Sequence, residues 1–427
     1  MMRFVVLVVA PGLLSGCWDS YRQSEVGDGA ALDGRDAPVL DGRDDATEEA
    51  EPARWHFVDV DVPDRAVSAE LLSASSPHLA WNGSVAGLLY RGPGPGDDHR
   101  ISFHPMDARG MPAGEDSILL ELSEHAWPAG QLAAETGGTF LVSVLVREWS
   151  QRIELLRVSS GGTILAHGVT GLAGEMSAPV GPPAVSGEYV IIVTRTTDGT
   201  SPVVLYRFRR SDLSLYGQDV LGPTDGTVRD PTVVNAPGED GLLVFYRHAG
   251  VRLRAEACSA GVPLACSDAV SLDLPENSGI FFAAATGTDW FAFARWWSET
   301  GFDFRLRSYS SHFEPYDDSF GAPSGDFFDE GSLVAAASDR PAWAAVLSPW
   351  RVDHREVLAA LGAEPIAGVT VHDVLEINDT EVTEGPESDG NVAVAWTDAG
   401  FLVVWDRWRE SLGATALFSS FVALVRD

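Results

Sequence analysis

The 427-residue chain contains no lysine; all 29 residues of its basic complement are arginine. That absence excludes a Walker-type phosphate loop, a Schiff-base lysine and the lysine of the serine β-lactamases. Positive charge is scarce as a whole, with 62 acidic residues against those 29 and a formal net charge of -33. A chain this acidic is repelled by nucleic acid and by anionic membrane surfaces, so neither is an electrostatic partner. Catalytic signatures are missing: there is no H-E-x-x-H and no G-x-S-x-G, and the glycines at 92–96 alternate with prolines, which spoils a dinucleotide turn. Ten histidines are scattered along the chain. The leading apolar run, residues 4–14, is too short to span a bilayer.

Residues 1–17 have the shape of an export signal, with Arg3 ahead of that apolar run. Leu14-Ser15-Gly16-Cys17 closes it. This tetrapeptide resembles the lipobox of bacterial lipoproteins. The resemblance implies that Cys17 is lipidated, that the preceding peptide is removed, and that the new N-terminus is acylated. Several acyl chains on one residue make a stable anchor where a single chain binds only marginally.

Residues 18–53 differ in composition, carrying eleven acids and three arginines. Leu32-Asp33-Gly34-Arg35-Asp36 recurs as Leu40-Asp41-Gly42-Arg43-Asp44. Neither copy has the acidic spacing of a calcium loop or a closing glutamate. The segment reads as a disordered, self-repelling tether. It holds -8 of the net charge, leaving -26 for the body at 54–427.

Cys258 and Cys266 remain once Cys17 is assigned to lipid. They flank a Gly and a Pro in CSAGVPLAC, a hairpin whose arms a disulfide would staple in an oxidising compartment. Closing so short a loop stabilises by roughly 2–3 kcal/mol in the chain-entropy picture. No His or second cysteine pair lies nearby in sequence, so no metal site is expected there.

From Trp55 onward short apolar runs alternate with turn residues, the pattern of an all-β fold. A strand ending at an arginine recurs at Arg91, Arg147, Arg195, Arg247, Arg295, Arg351 and Arg407, at spacings of 56, 48, 52, 48, 56 and 56. Runs rich in small residues precede each marker (77–81, 131–134, 183–186, 231–235, 281–285, 332–336, 391–396), and further strands follow each. Seven units of four short strands predict a seven-bladed β-propeller, with six or eight blades or a two-sheet solenoid as alternatives. The last unit stops one strand short, and residues 55–62 (WHFVDVDV) lack a hairpin partner. They are expected to supply the missing strand and close the ring. Residues 68–73, 131–137 and 354–361 also fit helical turns.

If each marker ends the second strand of its blade, the seven arginines share one rim and form a candidate site for a carboxylate, sulfate or phosphate ligand. The alternative is that each pairs with an aspartate of a neighbouring blade. Tryptophans at 81, 290, 296, 297, 350, 396, 405 and 408 suit sugar stacking, a protein hot spot, or packing between blades. Six carboxylates at 314–330 could hold calcium, although their order lacks ligand spacing; a solvated loop is expected, and no cofactor is implied.

Lipobox, acidic tether and repeat together resemble propeller-repeat lipoproteins of high-GC Gram-negative bacteria. That resemblance implies an outer-membrane, periplasmic or cell-surface location and no particular activity. The expected function is a binding or scaffolding module with a glycan or protein ligand. A glycan-active hydrolase or lyase on the same fold and a purely structural envelope protein are the alternatives.

Overall fold

A computed structural model describes residues 55–58, 65–66, 75–93, 99–123, 129–147, 151–171, 181–195, 203–221, 228–235, 241–248, 252–259, 265–272 and, from 278 on, the strands given below, the short pair Phe327–Phe328 with Pro349–Trp350, and the turn at 397–399. The signal and tether at 1–53, Cys17 and Arg351 lie outside the described residues.

The described chain is all-β and folds as a succession of antiparallel meanders. The first sheet comprises Ser75–Trp81, Ala86–Pro93, His99–Met106 and Ser117–Leu122. The second comprises Ala129–Glu135, Thr139–Arg147, Gln151–Ser159 and Ile164–Gly171. Ala184–Ser186, Tyr189–Arg195, Val203–Arg209 and Leu215–Leu221 make the third. In the fourth, Arg229–Asn235, Gly241–His248 and Arg252–Ser259 are followed by two short segments, Ala265–Cys266 and Val270–Ser271, that share the third strand's edge. The fifth holds Ser278–Ala285, Asp289–Ser298, Gly301–Ser310 and Pro315–Ala322; the sixth, Leu333–Ala336, Ala342–Leu347, Leu358–Ala363 and Asp373–Glu376. The seventh runs Ser388–Trp396, Gly400–Arg409, Ala414–Arg426, and its outer partner is Trp55–Val58.

Strand Thr139–Arg147 shows why these sequences stack. Its run TFLVSVLVR is apolar at nearly every position, and Phe140 through Val146 are buried on both faces. Phe140, Val142, Val144 and Val146 pack with Leu89, Ile101 and Phe103 of the first sheet. Leu141 and Leu145 face the other way, onto Val190, Ile192 and Phe208 of the third. The same two-sided packing joins the third sheet to the fourth through Ile191, Val193, Val233 and Val244, and the seventh to the first through Leu402, Val404, Leu88 and Tyr90. Outer strands alternate instead: in Ile164–Gly171 exposed residues interleave with buried ones, so apolar burial fades toward the edge. Gly168 lies on that edge because a Cβ there would sit 2.0 Å from the Leu213 carbonyl oxygen of the third sheet.

The small first strands lie side by side. Ser75–Trp81 adjoins Ala129–Glu135; Arg229–Asn235 adjoins Ser278–Ala285, which adjoins Leu333–Ala336, which adjoins Ser388–Trp396; and Ser388–Trp396 adjoins Ser75–Trp81. Repeated four-stranded meanders with their first strands together are the construction of propeller blades.

Two expectations change. Residues 131–135 and 358–361 belong to strands rather than helical turns; 68–73 and 354–357 lie outside the described residues. The acidic run expected as a loop contributes the outer strand Pro315–Ala322 of the fifth sheet. Its Asp-Asp-Ser reads as loop, but outer strands tolerate polar residues on both faces because little packs on them. Of the run 55–62, Trp55–Val58 forms a strand that pairs from Trp55↔Arg426 to Val58↔Ala423, and 59–62 lies outside the described residues.

Candidate functional site

Six of the seven marker arginines lie on the second strand of their sheet, within three residues of its end: Arg91, Arg147, Arg195, Arg247, Arg295 and Arg407. Side chains are described for three. Arg91 is half-buried; burial pushes its guanidinium pKa down, and the Asp406 carboxylate of the seventh sheet opposes that. Arg195 Nη1 donates to the Val228 carbonyl oxygen of the fourth sheet at 3.1 Å. Arg407 is 7% exposed and lies 4.7 Å over the Phe418 ring. All three are engaged by the protein itself, two of them across a sheet boundary.

The buried carboxylates are also tied into the scaffold. Glu135 of the second sheet accepts from Arg157 Nε at 2.7 Å and from Arg210 Nε, in a turn of the third sheet, at 2.7 Å. Glu154 holds Arg152 and His167, each at 2.5 Å. The exposed Asp116 meets the buried His104 at Nδ1, 2.7 Å away. Tryptophans behave similarly: Trp405 is fully buried, Trp396 packs edge-on against Phe401 at 5.0 Å, and Trp81 Nε1 donates to Asp398 Oδ1 at 3.0 Å.

A cavity of about 250 Å³ opens among the first strands of sheets two, three and four, lined by Ala133, Ala134, Pro182, Pro183, Ala184, Val185, Val233, Val234 and Asn235. The Asn235 amide is consumed by Val185, donating to its carbonyl at 2.9 Å and accepting from its N–H at 3.1 Å. The walls carry no charge. The cavity also lies away from the arginine markers: Arg247 is in register with Arg229, at the start of the strand whose far end, Val233 to Asn235, lines the cavity.

The exposed constellation with the most chemistry lies on the third sheet. Tyr189 and Tyr216 rings are 5.1 Å apart at 53°. Arg207 sits 5.9 Å from the Tyr189 centroid and 5.4 Å from that of Tyr216, and an ion pair with Asp219 at 2.7 Å, with one hydrogen bond from Nη2 to Oδ1 at 3.2 Å, fixes it. Arg209, exposed, stands 5.4 Å from the Tyr216 ring. Tyr216 is 39% exposed, and Leu215 and Val220 on the same outer strand are exposed too. The tyrosine–arginine pairing was hidden in sequence because it comes from strands 189–195, 203–209 and 215–221, with a register shift after Arg207 that brings Tyr216 to the Tyr189 side. An i, i+2 pair of arginines ending a strand, RFRR, was its one local signal.

No protein-family model and no curated protein sequence matches the chain. Among solved structures it is similar to the β-propeller domain of the Trilobed protease from Pyrococcus furiosus, at 9% identity over 84% of this chain and 98% of that one, TM-score 0.46. It is similar to a chain of the Mitotic Checkpoint Complex at 11% identity over 90% and 98%, TM-score 0.47. The WD40 domain of SCAP from fission yeast matches at 9% identity over 87% and 94%, TM-score 0.45. The blade construction itself therefore rests on the sheet order and register described above.

Proposed function

We propose that this chain is an exported, lipid-anchored β-propeller of seven blades, its ring closed by the N-terminal strand, that serves as a binding or scaffolding module for a protein partner at the cell envelope. The lipobox at Cys17 and the acidic tether at 18–53 support the anchor and the stand-off from the membrane. The pairing of Trp55–Val58 with Ala414–Arg426, and the contact between first strands of the seventh and first sheets, support the closure.

The observation that carries the binding function is the exposed Tyr216, held between Arg207 and Arg209 beside Tyr189. Tyrosine and arginine dominate protein-binding hot spots because each brings large contact area with few rotatable bonds to freeze. Here the rings and one guanidinium are pre-ordered by the scaffold, which lowers the cost of association. Aromatic–arginine platforms also stack sugars, so a glycan ligand is the second reading.

The test is affinity capture on the full-length protein, wild type against Y216E and R209E, from solubilised envelope fractions, with a glycan array in parallel. A defined protein recovered by wild type and lost by both variants supports the proposal. Retention by both variants refutes it, and variant-sensitive glycan signal with no protein captured moves the assignment to a glycan ligand.

A further inference from the structure

The fourth sheet carries a third ligand that the cysteine spacing did not reveal. Glu256 and Cys258 are two apart on the strand Arg252–Ser259 and share a face of it, and Cys266 stands directly opposite Cys258 on the short strand Ala265–Cys266. The two cysteines form a disulfide. One Glu256 oxygen and both sulfurs lie within 4.8 Å of one another. Glu256 is 6% exposed and Cys258 3%, while Cys266 is reachable from solvent.

Glu256 keeps one carboxylate oxygen for a further partner. Tyr246 OH donates to its Oε1 at 2.5 Å, and among the described residues nothing donates to Oε2. Two thiolates and a carboxylate converging on one point are a donor set for zinc-class divalent ions, with the fourth tetrahedral position left to water.

We infer that reduction of the Cys258–Cys266 disulfide converts this corner of the fourth sheet into a zinc-class metal site whose third protein ligand is Glu256. The reductant is a dithiol: its two thiols become a disulfide as Cys258 and Cys266 each gain a hydrogen. Binding the ion then releases those two protons, and Glu256 supplies its existing charge. Tyr246 orients Glu256 by holding Oε1 while Oε2 turns to the ion. The cross-strand pairing keeps both sulfurs together after the bond opens, so little reorganisation separates the disulfide from the metal-bound form.

The experiment uses the full chain, reduced with excess dithiothreitol, desalted under anaerobic conditions and titrated with Co2+. Reduced wild type is expected to show a thiolate-to-cobalt charge-transfer band saturating at one ion per chain and bleached by Zn2+; the oxidised chain and C258S show none. E256Q, which keeps the shape and the Tyr246 contact, is expected to bind about tenfold or more weakly. No band in reduced wild type, or identical titrations of wild type and E256Q, overturns the inference. Should reduction cost the chain its sheet signal, melting is repeated with Zn2+ present throughout: a rise in Tm for reduced wild type but not for E256Q supports the site, and equal melts overturn it.

Discussion

The backbone N–H of Ser76 donates to Asp406 Oδ2 at 3.0 Å, joining residues 330 positions apart. Asp406 is 4% exposed, accepts also from Asn391 Nδ2 at 2.8 Å, and faces the Arg91 guanidinium. Ser76 meanwhile holds a left-handed backbone, φ 53°, which a non-glycine residue adopts only where its surroundings fix it. Asp406 therefore anchors the first sheet to the seventh with one buried charge. Asp406→Asn is expected to destabilise by about 2–3 kcal/mol, because it removes a buried charged acceptor of Ser76 and Asn391 and the negative charge opposite Arg91. Arg91→Ala added to that variant should restore part of the loss. Urea unfolding of the four proteins in the cycle measures this; a D406N midpoint indistinguishable from wild type would sink it.

Glu135 makes the equivalent clamp between the second and third sheets. Burial pushes its carboxyl pKa up, but hydrogen bonds from Arg157, Arg210 and Thr139 outweigh this and hold it below the usual range. Glu135→Ala leaves two guanidinia without their shared partner and should cost about 2–4 kcal/mol. Arg157→Ala should cost more than Arg210→Ala, since those side chains are 14% and 33% exposed and screening weakens the outer one. The reverse order in thermal melts would show that the bridge to the third sheet, rather than burial, sets the energy.

How far these contacts could be read beforehand depends on their range. The period of about 53 residues and the apolar runs placed the small first strands correctly, because turn residues and alternation are local signals. The Cys258–Cys266 staple was legible for the same reason. Glu135, Asp406 and Tyr216 were not, since each acts across sheets or across a register shift, and no spacing along the chain encodes that. The arginine markers were found as a repeat, yet their partners, Asp406 and the Val228 carbonyl, belong to neighbouring sheets and came only with the packing.

Acid should unfold this protein early. Burial lowers the imidazole pKa of His78, on the first strand of the first sheet, to about 4, against about 6.5 in an unfolded chain. Between those values the unfolded state binds the proton and the folded state does not, so stability falls as pH falls from about 6.5 to about 4. The loss is on the order of 3 kcal/mol at most, because the ring keeps some contact with solvent. Glu135, with its depressed pKa, adds a loss in the same direction below about pH 4.5. Urea midpoints from about pH 7 to about pH 5 should decline for wild type and flatten for His78→Asn; parallel slopes would remove His78 as the cause.

Strand Trp55–Val58 gives the sharpest test of closure. It is the outer partner of Ala414–Arg426 over four paired positions, and Arg65–Ala66 pairs further along the same strand at Ser419 and Phe418. Without Trp55–Val58 the C-terminal part of Ala414–Arg426 becomes an open edge carrying VALVR, a row of unpaired N–H and C=O groups on an apolar segment. Deleting residues 55–62 should therefore lower Tm by several degrees and raise concentration-dependent association, since an exposed apolar edge recruits strands from other copies. Phe57→Pro is the milder form: it keeps chain length but removes one ladder donor and forces the strand off its partner, and should give a smaller shift in the same direction. Light scattering and melting on the same samples distinguish the two effects. An unchanged Tm in the deletion would mean that Ala414–Arg426 is held by the seventh sheet alone, and that the N-terminal strand rides on the propeller without closing it.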